Sequence, residues 1–316
     1  MRHFVTGGAG FVGMHLVDRL LSEGNEVVVY DNLSMGRREH VARFLDHPRF
    51  RFVHDDVLNI APLTEAMGGA DVVFHLAANS DIRSAIENPD VELKQGILAT
   101  FNVLQAMRAN SARRMVFTSS SVIYGDAGGE ELSEDFGPLV PISFYGAGKL
   151  SAEGLVCAFC HMFDMQGWIF RFANIVGSGL THGVLLDFIR KLRNDPRRLE
   201  ILGSGSQSKP YLHVRECVEG MLWGLKNSNE RVNIFNLASP DTLSVDRIAQ
   251  IIVEEMGLKN VVFEHTGGEG GWKGDVPRVR LDGNRLARLG WRAKMNSEEA
   301  VRAAVKEVLS EDEQFL

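Results

Sequence analysis

A glycine run directly after the first apolar stretch constrains this chain more than any other feature. Thr6-Gly7-Gly8-Ala9-Gly10-Phe11-Val12-Gly13 follows a short strand-like stretch, His3–Thr6, and leads into an apolar pattern of helical period over Phe11–Ser22. Glycine tolerates a tight turn and lets backbone N–H groups close on an anion, and the N-terminus of the following helix adds positive potential. Gly7, Gly10 and Gly13 read as G-x-x-G-x-x-G; Gly8, Gly10 and Gly13 read as G-x-G-x-x-G. A tight strand–helix turn with no ligand is the plain alternative, because a lone glycine motif is weak. The next strand pattern, Glu26–Tyr30, ends at Asp31, 18 residues beyond Gly13. An acid at that place accepts hydrogen bonds from an adenosine ribose and repels a 2′-phosphate. The combination points to a dinucleotide, and to NAD over NADP, although Arg37 and Arg38 stand nearby.

Further apolar runs continue the alternation. Strands are expected at Arg51–His54, Val72–His75, Met115–Ser119 and Trp168–Phe172, with helices at Pro62–Met67, Asp90–Ala109 and Gly148–Phe163. Strand alternating with helix implies an α/β fold, a Rossmann-type doubly wound parallel sheet with helices on both faces. After Arg171 the pattern loosens. Helices are expected near Val184–Leu192, Ser244–Met256 and Ser297–Leu309, and a strand at Val232–Leu237. Thr266 to Gly274 holds five glycines in nine residues and reads as a loop. The expected division is a dinucleotide-binding domain over 1–174 and a smaller, interleaved substrate-binding lobe over 175–316. Segments near 214–250 are expected to pack back on the first domain.

Composition removes several classes. The 316 residues carry 34 Lys and Arg against 41 Asp and Glu, a net charge of −7. Such a chain repels the phosphates of nucleic acid and of anionic membranes, so neither is an expected partner. No apolar run approaches the ~18 residues that span a bilayer, and no signal-peptide core precedes Gly7. Three cysteines are too few for a disulfide framework, and a cytoplasmic location is expected. Cys157-Ala-Phe-Cys160-His161 has the C-x-x-C-H form of haem attachment and half of a zinc site. Its helical surroundings and the lack of a second pair favour buried structural thiols, with no metal expected. The basic run Arg190–Arg198 reads as solvated cations at a helix C-terminus; attraction of an anionic substrate is the sharper reading.

Tyr145-Gly146-Ala147-Gly148-Lys149 places a phenol and an ammonium four apart, on one face of a starting helix. An ammonium beside a phenol favours the phenolate, which suits Tyr145 to act as a general base on an alcohol. Thr118-Ser119-Ser120-Ser121 supplies hydroxyls at a strand end, where parallel sheets bind ligands.

With these residues in this order, the sequence resembles the extended short-chain dehydrogenase/reductase family, and within it the UDP-glucose 4-epimerase (UDP-galactose 4-epimerase) group, archaeal-type members included. The resemblance runs nearly end to end. It rests on Thr6–Gly13, Asp31-Asn32-Leu33-Ser34, His75-Leu76-Ala77-Ala78, Ser119–Gly125, Tyr145 with Lys149, Arg171–Asn174, His182-Gly183-Val184, Gly203-Ser204-Gly205 and Trp272–Pro277.

By position, the resemblance implies Ser120, Tyr145 and Lys149 as the catalytic residues. It implies NAD held by Gly7, Gly10, Phe11, Val12, Gly13, Asp31, Asn32, Ser34, Asp56, Val57, Leu76, Ala77, Ala78 and Ser119, together with Tyr145 and Lys149. A UDP-sugar would be held by Ser120, Asn174, Val184, Lys209 and Asp275. Three departures stand out: Lys209 where relatives carry an arginine, Trp272 where arginine is frequent, and Gln95-Gly96-Ile97 where the family has Asn-Asn-Val. The last removes an amide expected near the cofactor.

The family's reactions share a first step that yields a 4-keto sugar. Its 4,6-dehydratases follow the catalytic residue with Asp-Glu, and its decarboxylases carry glutamate at the second of these places. Here Ser121 and Val122 stand there. The resemblance therefore implies C4 epimerisation of UDP-glucose and UDP-galactose. The small Val279 opens the reading to UDP-GlcNAc and UDP-GalNAc. The alternatives are another nucleotide-sugar reductase or dehydratase of the family, or a noncatalytic NAD-binding sensor. Helices Asp90–Ala109 and Gly148–Phe163 resemble the family's dimer-forming pair, which implies a homodimer.

Overall fold

The computed structural model describes residues 1–81 and 84–313. Seven strands form one parallel sheet: β1 (Arg2–Thr6), β2 (Glu26–Asp31), β3 (Phe50–His54), β4 (Val72–His75), β5 (Arg114–Ser120), β6 (Gln166–Phe172) and β7 (Val232–Leu237). Their order across the sheet is β7-β6-β5-β4-β1-β2-β3. The connection direction reverses between β1 and β4, and in such sheets ligands bind at the carboxyl ends beside that reversal. Thr6, Asp31, His75 and Ser120 each close one of these strands. The strands read as near-continuous apolar runs because helices cover both faces. Val27, Val28, Val29 and Tyr30 are all buried, as are Val72, Val73 and Phe74. The expected fold class is the observed one.

The chain divides into two units. The first comprises Met1–Ile123, Ser143–Arg171 and Met221–Phe235. One of its cores joins Phe4, Val28, Tyr30, Val73, Met115, Phe117 and Ile169 of the sheet to Val103 and Met107 of helix Ala99–Ala109 and to Ala152, Val156 and Cys160 of helix Phe144–Met162. The second unit comprises Tyr124–Ile142, Phe172–Gly220 and Asn236–Leu316. Its core packs helix Val184–Asn194 (Leu185, Phe188, Ile189) with helix Val245–Glu255 (Ile248, Ile252) and helix Ser297–Glu313 (Val301, Val305).

Two expected helices differ in detail. The helix at Asp90–Ala109 is not regular: Leu93–Leu98 is a π-helical turn ahead of α-helical Ala99–Ala109. The Thr100 hydroxyl donates to the Gly96 carbonyl at 2.7 Å, satisfying an oxygen in the widened turn. The Gly148–Phe163 helix begins earlier, at Phe144, because the Ser143 side chain accepts from Gly146 N–H and caps it there. Tyr145 therefore sits in the first turn. Helix Val214–Asn227 is an addition to the elements expected from sequence.

Cys160 is buried against the Gly167 backbone, and burial pushes its thiol up to about 12, so it is an inert core residue. The basic run is solvated and largely ion-paired: Lys191 meets Asp187 and Glu200, and Arg198 meets Glu264. No helix among the described residues is long and apolar enough to cross a membrane.

Candidate active site

The glycine loop is built by exclusion. Gly7 has φ +72°, and a Cβ there would lie 2.5 Å from the Ala77 nitrogen. A Cβ on Gly13 would lie 2.3 Å from the Gly7 carbonyl oxygen, and on Gly8 2.6 Å from Val29 Cγ2. Only hydrogen fits at these places. Gly10 N–H donates to Gly7 O and Met14 N–H to Gly10 O, which turns the chain from strand into helix Phe11–Ser22. Phe11 and Val12 open that helix, whose first N–H groups lack intrahelical acceptors.

Asp31 organises the neighbouring strand ends. Its Oδ2 accepts from Ala9 N–H at 2.9 Å and its Oδ1 from Leu33 N–H at 2.8 Å. Burial raises its pKa, against these hydrogen bonds. Asn32 Nδ2 donates to Asp56 Oδ2 at 2.7 Å, Leu58 N–H donates to Asp56 Oδ1, and Ser34 N–H donates to Asn32 Oδ1. Val57 is buried beside them, with its carbonyl accepting from Asn102. Asp31, Asn32, Ser34, Asp56 and Val57 thus form one cluster at the ends of β2 and β3.

A buried chain of hydrogen bonds crosses beneath the loop. Ala77 N–H donates to Thr6 Oγ1 at 3.3 Å, and Thr6 Oγ1 lies 2.7 Å from His75 Nδ1. His75 Nε2 lies 3.1 Å from Thr100 Oγ1, which donates to Gly96 O. Because the Thr100 proton goes to Gly96, Nε2 must donate and Nδ1 must accept, and every member is satisfied in one direction. Burial, helped by Lys149, holds the imidazole down at about 3 and hence neutral. Leu76 N–H donates to Thr6 O, and Ala78 follows Ala77 in the same loop.

The end of β5 carries the hydroxyls. Ser119 Oγ is buried and has no hydrogen-bond partner among the described residues. Ser120 is half-buried, its Oγ accepting weakly from Val122 N–H at 3.4 Å. In the first unit, Lys149 reaches the same strand: Nζ donates to Thr118 O at 2.7 Å and lies 5.7 Å from the Tyr145 ring centre. The helix therefore presents phenol and ammonium together, as the spacing of four predicts. Burial lowers Lys149 to about 8, against the charges of Glu92 and Glu153. The expectation of a depressed phenol needs correction, since Tyr145 is raised. Its burial is the larger cause and the Glu92 charge the smaller.

The second unit holds the residues expected at the sugar nucleotide. Lys209 Nζ donates to Asp275 Oδ1 at 2.6 Å and lies 5.5 Å from the Trp272 ring centre. Asp275 Oδ2 accepts from Gly271 N–H at 3.0 Å, which ties the glycine-rich loop down. Asn174 begins strand Asn174–Val176, in parallel register with Tyr211. Val184 opens helix Val184–Asn194 after Gly183, whose φ is +111°. Val279 is buried, with its N–H on Ser208 O.

Comparison with known proteins places this geometry. Residues 3–238 match the model of the NAD dependent epimerase/dehydratase family. The chain belongs to this family. A crystal structure of a UDP-galactose 4-epimerase is 39% identical and covers 99% of each chain, with a TM-score of 0.87. The UDP-glucose 4-epimerase of Thermus thermophilus, in complex with NAD, is 28% identical over 97% of this chain and 98% of its own, with a TM-score of 0.85. UDP-glucuronic acid decarboxylase 1 of Xenopus tropicalis is 30% identical, covering 96% of this chain and 71% of its own. The protein is an enzyme of the NAD dependent epimerase/dehydratase family.

The first unit fits the family's cofactor on its own terms. The close packing at Gly7 and Gly13 excludes any side chain from the loop, which leaves its backbone free to approach a pyrophosphate, and Ser119 Oγ is a buried hydroxyl in want of a partner. Two features of the site lie outside the motifs. Glu92 is buried close to the Tyr145–Lys149 pair, and the Thr6–His75–Thr100 chain supports the loop from below. Neither is signalled by spacing, since each depends on elements distant in the chain meeting in space.

Proposed function

We propose that the protein is a nucleotide-sugar 4-epimerase that interconverts UDP-glucose and UDP-galactose, with the N-acetylated pair also accepted. The observation that carries this reading is the Tyr145–Lys149 pair facing a β5 end whose following residues, Ser121 and Val122, offer no acid. Val122 cannot protonate a C6 hydroxyl, which speaks against dehydration, and it lacks the carboxylate the resemblance associates with decarboxylation.

Tyr145 is assigned as the base that takes the C4 hydroxyl proton, and Ser120 as the hydroxyl that steadies that oxygen. Lys149, anchored on Thr118 O, keeps a positive charge beside the phenol and orients the ribose. NAD, when bound, would supply reversible hydride acceptance, so epimerisation would need no net oxidant. The residues assigned to hold it are Gly7, Gly10, Phe11, Val12, Gly13, Asp31, Asn32, Ser34, Asp56, Val57, Leu76, Ala77, Ala78 and Ser119. Because burial and the Glu92 charge raise Tyr145, its ionisation would need positive charge nearby, which Lys149 is placed to supply. Asn174, Val184, Lys209 and Asp275 are assigned to the UDP moiety, and the small side chain at Val279 favours acceptance of the N-acetylated pair.

A homodimer is part of the proposal. Leu93, Leu98, Phe101 and Met162 expose apolar surface on the two helical segments concerned. The test is incubation with a panel of nucleotide sugars without added cofactor, followed by product separation. C4 epimers without net NADH are expected. Tyr145→Phe should lower kcat by about 10²- to 10⁴-fold with an unchanged melting temperature. A 4-keto-6-deoxy sugar or a pentose product would overturn the assignment.

A further inference from the structure

Glu92 is a buried carboxylate for which the proposed reaction has so far named no use. It is 4% exposed and immediately precedes the π-helical turn Leu93–Leu98. Its Oε1 accepts from Asn79 Nδ2 at 3.2 Å, and Asn79 is itself buried. Its Oε2 lies in a slot between two helices lined by glycines. A Cβ on Gly96 would stand 3.0 Å from that oxygen, and a Cβ on Gly148 would stand 2.9 Å from it. Gly148 is the residue before Lys149 and three beyond Tyr145.

The slot accounts for the glycine at 96 within the departure Gln95-Gly96-Ile97. Residues 92 and 96 stand one helical turn apart, so a side chain at 96 and the carboxylate from 92 would compete for one space. Here the glycine yields and the carboxylate fills it.

The charges around the slot set what the carboxylate does. Tyr145 and Lys149, on helix Phe144–Met162 beside Gly148, feel the Glu92 charge, and Glu153 and His75 lie within electrostatic reach of Lys149. His75 is neutral. Glu153 is committed to Arg171, which donates through Nε at 3.1 Å and Nη2 at 2.8 Å. Lys149 is buried, with one carbonyl, Thr118 O, as its hydrogen-bond acceptor among the described residues. A buried ammonium in that position needs an anion.

We propose that Glu92 is a positioning residue: held between Gly96 and Gly148, its carboxylate is the buried counter-charge of Lys149. It keeps the lysine protonated in a site that burial would otherwise neutralise. Burial raises the pKa of Glu92 itself, while Asn79 and Lys149 work in the opposite direction. The same negative charge opposes the Tyr145 phenolate, so Glu92 secures the lysine at some cost to the base. The catalytic consequence rests on the roles given above to Tyr145 and Lys149, but the charge pairing does not.

The experiment is a pH titration of the intact protein carrying lysine labelled with 13C at Cε, read by NMR, with the Lys149 signal assigned by its loss in Lys149→Arg. The wild-type midpoint is expected near 8. In Glu92→Gln it should move down by about 1 pH unit, the effect of losing one nearby opposite charge. Glu92→Asp should restore part of the shift. Gly96→Ala, which crowds the carboxylate without removing it, should move the midpoint in the same direction and serves if Glu92→Gln does not fold. A midpoint unmoved in Glu92→Gln, or in Gly96→Ala where that is the folded variant, overturns the proposal, even if melting temperature falls. Epimerisation by the wild type with an unmoved midpoint would sink this inference alone. A shifted midpoint without epimerisation would sink only the proposed reaction.

Discussion

Lys209 and Asp275, 66 residues apart in the chain, meet at 2.6 Å with the Asp275 carboxylate buried. Both are assigned to the UDP moiety, so the pair that shapes the site in its own unit also has to serve the ligand. An arginine could offer a second N–H to a phosphate while holding the aspartate; a lysine is a single point charge. Lys209→Met should cost about 1–3 kcal/mol of stability, because it strands a buried carboxylate with Gly271 N–H as its remaining partner. It should raise KM for the UDP-sugar with kcat little changed, since the diphosphate is remote from C4. Thermal melts and steady-state kinetics check both.

Gly13→Ala tests the loop. The added methyl meets the Gly7 carbonyl oxygen at 2.3 Å, so the backbone of the turn has to move. We expect a loss of about 1–3 kcal/mol in stability and weaker NAD binding, measured by denaturation and by calorimetric titration.

His75 makes the first unit acid-labile. Its folded pKa, about 3, lies below the ordinary histidine value of 6.5. Between those values the unfolded chain binds a proton that the folded one refuses, so stability falls as pH drops from 6.5 towards 3. The full effect is on the order of 5 kcal/mol. Melting temperature against pH should decline more steeply in the wild type than in His75→Gln over that window.

Phe101→Glu tests the dimer. Phe101 is 37% exposed and packs edge-on against Phe159 of its own chain, so the change places charge on the outward face. Sedimentation at micromolar concentration should show a dimer for the wild type and a monomer for the variant. A wild-type monomer would end the homodimer proposal.

Much of the first unit is legible in the sequence because its signals are local. Val27-Val28-Val29-Tyr30 can hardly be other than a buried strand, and the glycine loop is dictated by close approach at Gly7 and Gly13. The Tyr145–Lys149 pair follows from helical geometry alone. Helix Val214–Asn227 carries Val214, Cys217, Val218, Met221 and Leu225 at helical spacing and is readable in principle; the short strands before it obscure its start. Glu92 is not readable. Its meaning comes from two glycines on different helices, Gly96 and Gly148, and no spacing along the chain brings them together. The raised pKa of Tyr145 escapes the sequence for the same reason, since burial and the Glu92 charge are both tertiary.

The position of β7 has a consequence for how the chain is made. The sheet of the first unit is completed by Val232–Leu237, with Phe235 lying 5.6 Å from Phe170 of β6, after the chain has run through Phe172–Gly220 of the second unit. As the polypeptide leaves the ribosome, β6 is an open edge until that strand arrives, and an unpaired apolar edge invites pairing with another nascent chain. A single cut leaves the first unit incomplete: a fragment ending at residue 174 keeps every glycine of the loop yet lacks the strand that pairs with Gln166–Phe172.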